Sequence, residues 1–261
     1  MADDSMVFHS GEQRLQASLG MRERVEKMSR RMIGRALSVE HQHFFARLPL
    51  VFLGFVDEAG QPWPGALCGA PGFVDTTDPA KMVFHGRLAD DDPAAAGLRP
   101  GAACGVLGLD FVSRRRNRVN GVVEQVTADG FVLSVHQAYG NYPKYIHARA
   151  CRRLRDPAEP LTGAVRRSRG PLSAEDAALV RAADTFFIAS HFAGPGPGAG
   201  ADISHRGGAP GFVHITEDGA LLFPDYVGNF LFNTLGNLVQ DPRAGLLFID
   251  FDKGDTLQIS G

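Results

Sequence analysis

Ser204-His205-Arg206-Gly207-Gly208 sets a hydroxyl, an imidazole and a guanidinium directly ahead of two glycines. A guanidinium offers donors in a fixed fork, and glycine lets backbone amides approach a bound group closely. The run therefore reads as one corner of an anion site, of the kind a phosphate occupies; the alternative is a plain glycine turn between strands. Gly228-Asn229 opens NFLFNTLGNL, read as a helix whose first amides and positive dipole end face the ligand. Asn233, Thr234 and Asn237 share one face of that helix, at i, i+1 and i+4. Arg114-Arg115-Arg116 and Arg118 form a basic turn, and Lys144 and Tyr145 in NYPKYI add an ammonium and a phenol. Lys+Arg 27 against Asp+Glu 29 gives a net charge of −2, so the overall field implies neither nucleic acid nor an anionic membrane. A local basic cluster then suits a small anion, with solvated loop arginines as the alternative. His205 is a weak candidate for proton transfer, a surface-loop imidazole being the other reading.

Other chemistries find no support. The nine histidines show no zinc spacing, and His41 and His43 point to different sides of a helix, so no metal site is expected. There is no G-x-S-x-G, Walker or G-x-G-x-x-G motif; a nicotinamide would bind only transiently. Cys68, Cys104 and Cys151 are odd in number and widely spaced, which argues against a disulfide framework and for a reducing compartment. The N-terminus lacks a signal pattern, and no apolar run reaches the roughly 18 residues of a membrane span. A cytoplasmic, bacterial-type protein is expected.

The elements that must position these residues are mostly short strands. Residues 1–47 read as a helical arm, with Leu15, Leu19, Met21, Val25, Met28 and Met32 as one apolar stripe and Ser38 capping a second short helix. Strands begin at Leu50 with LVFLGFV, turn at Asp57-Glu58-Ala59-Gly60, and continue to FVLSVHQA, interrupted by a helix start at DDPAAAGL. Residues 152–172, rich in Arg, Pro and Gly, read as a linker. Ser173 and Asp176 then form a capping box for the next helix.

An internal repeat organises the chain. APGFV occurs at 70–74 and 209–213, LGLDF at 107–111 faces LFIDF at 247–251, and Asn120-Gly121 faces Ser260-Gly261, at offsets of 139 or 140. FF at 44–45 faces FF at 186–187 at an offset of 142. Two copies of one mostly β domain follow, at 48–151 and 173–261. The first copy continues past its Asn-Gly with a further strand pair, so the second is expected to be truncated at its C-terminal end and the natural chain to run on.

ADISHRGGAPGFVHI, LLFPDYVGNFLFNTLGNL, DPRAGLLFIDF and GDTLQISG, with FHSGE, RRRNRVNG and GNYPKYIHAR, together resemble the pyridoxamine 5′-phosphate oxidase-like, flavin-binding split-barrel family, in its large bacterial two-barrel form. The resemblance implies a mainly β (α+β) fold of two tandem split barrels with FMN, or FAD, in the groove between them. It implies phosphate contacts from Ser204, Arg206, Gly207 and Gly208, and from Arg116, Arg118, Lys144 and Tyr145 of the other barrel. Gly228, Asn229, Asn233, Thr234 and Asn237 would line the cofactor. Pro224 and Asp225 would meet the ring or ribityl chain, and Gln258 would hydrogen-bond the ring. Phe230 and Leu231 depart from the pattern, since typical members place Arg or Lys there. The implied function is a flavin-dependent oxidoreductase passing electrons or hydride to a small-molecule substrate, with a ferredoxin-reductase-type module as partner and a homodimer allowed. The alternatives are a non-catalytic binding or assembly module, and a haem- or deazaflavin-binding split barrel.

Overall fold

The computed structural model describes residues 7–150, 165–196 and 198–261. The first part of the proposed linker therefore lies outside the described residues. An arm of two helices, α1 (Ser10–Ser18) and α2 (Arg22–Met32), leads to α3 (Val39–Ala46). Then come β1 (Leu50–Val56), β2 (Pro62–Cys68), β3 (Val74–Asp75), β4 (Lys81–His85), a 3-10 turn at Pro93–Gly97, β5 (Ala103–Asp110), β6 (Arg115–Thr127) and β7 (Gly130–Asn141). The second half holds α4 (Ala174–Ala182), β8 (Thr185–Phe192), β9 (Gly200–Gly207), β10 (His214–Ile215), β11 (Leu221–Leu222), α5 (Asn233–Gln240), β12 (Gly245–Ile249) and β13 (Thr256–Ser260).

All pairings are antiparallel. One sheet runs β2-β1-β5-β6-β7-β4-β3; the second runs β13-β12-β8-β9, with β10-β11 as a separate hairpin. The order β9-β8-β12-β13 repeats β2-β1-β5-β6, so the chain is two tandem split barrels of an α+β fold. Register fixes which residues are equivalent. Phe52 sits opposite Leu107 and Phe187 opposite Leu247, which makes Phe52 and Phe187 counterparts. The Phe44-Phe45 landmark fails on this ground: it lies in α3, whereas Phe186-Phe187 lies in β8. A two-residue aromatic match is too short to define register, and here it set a helix against a strand.

β1 is apolar throughout because it is buried on both faces. Val51, Leu53 and Phe55 enter the core of the first barrel, and Phe52 enters a second cluster with Leu107, Phe187, Ile203 and Leu247. That cluster is the seam between the barrels. Phe52 stacks on Phe187 with centroids 3.5 Å apart, and Phe111 meets its counterpart Phe251 edge-on at 5.3 Å. Close approach of β9 depends on glycine: a Cβ on Gly105 would fall 2.8 Å from the Asp202 Cα.

Two helix expectations are corrected. The arm is not one stripe, because the chain breaks at Gly20 (φ 64°), and Leu19 and Met32 remain exposed. The buried face of α1 is instead Gly11, Glu12 and Gln16. α1 packs on α5 so closely that a Cβ on Gly11 would lie 2.1 Å from the Gly236 carbonyl oxygen, leaving no room for a large apolar ridge. α5 begins at Asn233, not Gly228. Phe230 and Phe232 both adopt left-handed φ of 61°, which non-glycine residues sustain only when their surroundings hold them, and this interrupts the helix.

Candidate functional site

The predicted site residues fall into three places. The first is a buried polar network in the seam, joining α1, β6, β7, β9 and α5. Arg118, on β6, donates from Nη1 to Asp202 Oδ2 at 2.9 Å, Asn233 Oδ1 at 3.0 Å and the Tyr139 hydroxyl at 3.3 Å. Its Nη2 donates to Ser204 Oγ, which also accepts from Thr234 Oγ1 at 2.7 Å. Asn233 Nδ2 donates to Glu12 Oε1 at 2.6 Å. Asn237 donates to Ser190 Oγ at 3.0 Å, and its Oδ1 lies 2.9 Å from His9 Nε2. The His9 ring in turn stacks on Phe192 at 4.2 Å.

This network meets most of its own charge, although Arg118 Nε is buried without a partner among the described residues. The Arg118 charge is met by Asp202, both almost fully buried. Glu12, 2 % exposed, is held at the N-terminus of α1, where its Oε2 accepts from the His9 amide at 3.0 Å. Burial lifts its carboxyl to about 8, against the lowering effect of the bonds from His9 and Asn233. Beside Asp202, Asn120 and Asn233 lies a cavity of about 10 Å³, room for a single water. Asp202 Oδ1 and Asn120 Oδ1 are buried there without a partner, and such a water would satisfy them.

The second place is the rim of the same seam. Arg116 emerges from β6 two residues before Arg118 and therefore on the same face. Its Nη1 lies 3.1 Å from His205 Nδ1, and its Nη2 donates to the Tyr142 carbonyl at 2.9 Å. No carboxylate among the described residues pairs with it. Arg206 donates to Asp225 at 2.6 Å and Arg149 to Asp184 at 2.6 Å; Lys144 and Tyr145 both donate to the Val227 carbonyl, at 3.3 and 3.0 Å. Among the described residues, four cations, Arg116, Arg149, Arg206 and Lys144, thus face two carboxylates, Asp184 and Asp225. The excess is positive and local. Burial together with Arg118 and Arg206 depresses Arg116 to about 10. Burial, then Arg116, Arg149, His147 and Arg206, holds His205 neutral, well below the usual imidazole range. Nε of Arg116, Arg149 and Arg206 and Nε2 of His205 are buried with no partner among the described residues.

Backbone supports this rim. A Cβ on Gly207 would fall 2.0 Å from the Tyr145 carbonyl oxygen, and the Gly208 carbonyl accepts from His147 Nε2 at 2.8 Å. Asn229 donates to Asn141 Oδ1 at 2.9 Å and pins the 223–232 segment to the end of β7. Pro224, Asp225, Tyr226 and Gly228 lie exposed along that segment, and Tyr226 stacks on Tyr145 at 5.0 Å.

The third place holds Gln258 alone. Its Nε2 donates to the Pro64 carbonyl at 2.7 Å and to Asp92 Oδ1 at 2.8 Å, on the opposite side of the seam, so the structure does not bring it to Arg206. Arg118, Ser204, Asn233, Thr234 and Asn237 come together inside the seam; Arg116, His205, Arg206 and Gly207 come together at its rim. Sequence reasoning passed over His9, Glu12, Tyr139, Asp202, His147 and Arg149 as site residues. Glu12 carried a signal, the H-x-x-E capping spacing; Asp202 carried another, a lone charge beside apolar strand positions.

No family model matches the chain, and no curated protein matches it. Among solved structures, HupZ from Group A Streptococcus is 12 % identical and aligns over 40 % of this chain and 98 % of its own, with a TM-score of 0.32. An F420 reductase is 15 % identical over 37 % of this chain and 91 % of its own, with a TM-score of 0.26. At these scores the likenesses carry no argument about function, and the architecture rests on strand order and register.

Proposed function

We propose that the chain is a cofactor-binding split-barrel unit whose rim site takes the phosphate of a flavin-type cofactor, FMN in the first instance, in service of an oxidoreductase. One observation carries the reading: Arg116, Arg206, Arg149 and His205 converge with unpartnered buried nitrogens and too few carboxylates to balance them. Buried donors and uncompensated charge are costly unless a ligand answers them, and a phosphate does so with three acceptor oxygens.

The residues fit the phosphate end. The planar ring does not fit inside the seam, where the cavity takes one water, so it belongs on the outer face by Tyr142, Tyr226 and Val227, all of which are well exposed. When bound, a flavin supplies a two-electron acceptor; this chain's contribution is to hold and orient it. His205 is neutral and bonded to Arg116, so it positions that guanidinium rather than delivering a proton. A non-catalytic binding module is the second reading, favoured by the buried Leu231 and by an Arg118 guanidinium already engaged by Asp202, Asn233 and Ser204.

FMN and riboflavin titrations followed by flavin fluorescence test the proposal. FMN should bind at micromolar concentration and riboflavin at least about tenfold more weakly, since a charge-assisted bond to phosphate contributes roughly 1.5–3 kcal/mol. Arg116→Ala should erase that difference. Equal binding of the two, or none, refutes the phosphate assignment. Binding of FMN without reduction by any added electron donor would favour the second reading.

A further inference from the structure

Of the two carboxylates at the rim, one belongs to the framework and the other does not. Asp184 directly precedes β8; its carbonyl accepts from the Gly208 amide at 3.0 Å while its side chain holds Arg149. Asp225 lies on the 223–232 segment, of which residues 223–230 join neither strand nor helix. That segment is fixed at its ends. Leu222 pairs with His214 in the β10–β11 hairpin, Asn229 is bonded to Asn141, and Leu231 is fully buried. Between these anchors residues 224–228 are exposed, and what holds them is the rim itself. Arg206 donates to the Asp225 carboxylate, Lys144 and Tyr145 donate to the Val227 carbonyl, and the Tyr145 ring lies on Tyr226. The segment is thus a strap across the site, tied down by two of the cations that the rim offers to an anion.

The tie is of an exchangeable kind. The Asp225 side chain is 42 % exposed and that of Arg206 19 %, so water screens the pair and it holds weakly. A phosphate monoester brings nearly two charges and three acceptor oxygens, where the carboxylate brings one charge and two oxygens. Arg206 Nε, buried without a partner among the described residues, is a donor such a group can take. Two anions on one guanidinium stand close together as like charges, which a partly buried site penalises. The carboxylate therefore leaves as the phosphate arrives.

We infer that Asp225 is a resident competitor for the anion. In the free chain its carboxylate occupies Arg206, and an arriving phosphate displaces it and loosens the strap. Asp225 thereby sets the affinity of the rim for phosphate. The inference rests on the phosphate reading of the rim and adds to it the group that opposes binding.

Asp225→Asn keeps the shape of the side chain and removes the competing charge. Titrated with FMN and with riboflavin by flavin fluorescence, it should bind FMN at least about fivefold more tightly than the parent and leave riboflavin within about twofold. Asp129→Asn, the same change of charge at the exposed β6–β7 turn, is the control and should alter neither. In the parent chain, saturating inorganic phosphate should quicken chymotryptic cleavage after Tyr226, relative to chloride at equal ionic strength. FMN binding that is unchanged or weaker in Asp225→Asn, riboflavin tightened as much as FMN, an equal effect of Asp129→Asn, or cleavage unmoved by phosphate would each overturn the exchange. A parent that prefers FMN to riboflavin while Asp225→Asn changes nothing leaves the phosphate site standing and sinks the strap alone; a parent without that preference refutes both.

Discussion

Replacing Glu12 by Gln should change how stability depends on pH more than it changes stability itself. The carboxyl is buried, and its folded-state value is raised from 4.5 to about 8. A raised folded value means that the folded state holds the proton more tightly than the unfolded chain. The contribution is full below pH 4.5 and is lost as pH climbs through 8. The whole span of about 3.5 units corresponds to roughly 5 kcal/mol, of which about 3.5 kcal/mol falls between pH 5 and pH 8. Because Glu12 is only 2 % exposed, solvent screening does little to reduce this. Gln keeps the bond with Asn233 through its one carbonyl oxygen but turns an NH2 toward the His9 amide, so that bond is lost at a cost of about 1–3 kcal/mol. The variant should therefore be less stable than the parent at pH 5 and more stable at pH 8. Urea unfolding of both proteins at four pH values measures this, and the difference between them cancels groups that do not touch Glu12, such as His205, whose lowered value acts at acid pH. Parallel stability curves from pH 5 to 8 would refute the claim that Glu12 is buried against the seam and titrates there.

Arg118→Met leaves Asp202 charged, buried and unpaired, and should cost about 3–5 kcal/mol in chemical denaturation; adding Asp202→Leu should recover most of it. Gly236→Ala sets a Cβ 2.5 Å from Glu12 Cγ and 2.7 Å from the Glu12 nitrogen. It should lift α1 off α5 at about 1–3 kcal/mol and speed tryptic cleavage at Arg14. Phe187→Ala removes the ring stacked on Phe52 and should cost about 3–5 kcal/mol, lowering a single calorimetric transition rather than splitting it if the seam couples the barrels.

The β architecture was legible because its signal is local and repeated. The unbroken apolar run of β1, turn residues at Asp57 to Gly60 and constant offsets of 139 or 140 are local or repeated signals, which a single sequence displays. The helices were less legible. α1 buries Glu12 and Gln16, residue types whose usual place is solvent, because its partner surface is a glycine and a set of amides rather than an apolar groove. α5 starts late because two phenylalanines take left-handed backbone angles, for which composition gives no cue. The site divided in the same way. Arg206 and Gly207 announce themselves by type, but whether an arginine is neutralised depends on what stands across the seam. Arg116 and Arg118, two positions apart on one strand, end in opposite states because only Arg118 meets Asp202.

That contrast also explains why one side of the molecule carries the charge. The duplicated barrels make two equivalent flanks, each formed by a β6-type strand of one copy against a β2-type strand of the other. On the first flank β6 brings Arg116 and Arg118 against Ser204, His205 and Arg206 of β9. On the second, β13 brings Thr256 and Gln258 against β2, where Pro62 and Pro64 occupy the edge and a Cβ on Gly245 would fall 2.3 Å from the Pro62 carbonyl oxygen. Proline offers no amide to a ligand, and the Gln258 amide is already bonded to the Pro64 carbonyl. The second flank is thus filled and carries the Asp92 carboxylate, while the first has more cations than carboxylates among the described residues. A symmetric pair would bind two anions weakly or well; this pair, having diverged at the same strand positions, has the chemistry to bind at one flank only. Titration with FMN should accordingly saturate at one equivalent per chain, and a second equivalent at comparable affinity would refute the assignment of the charge to a single flank.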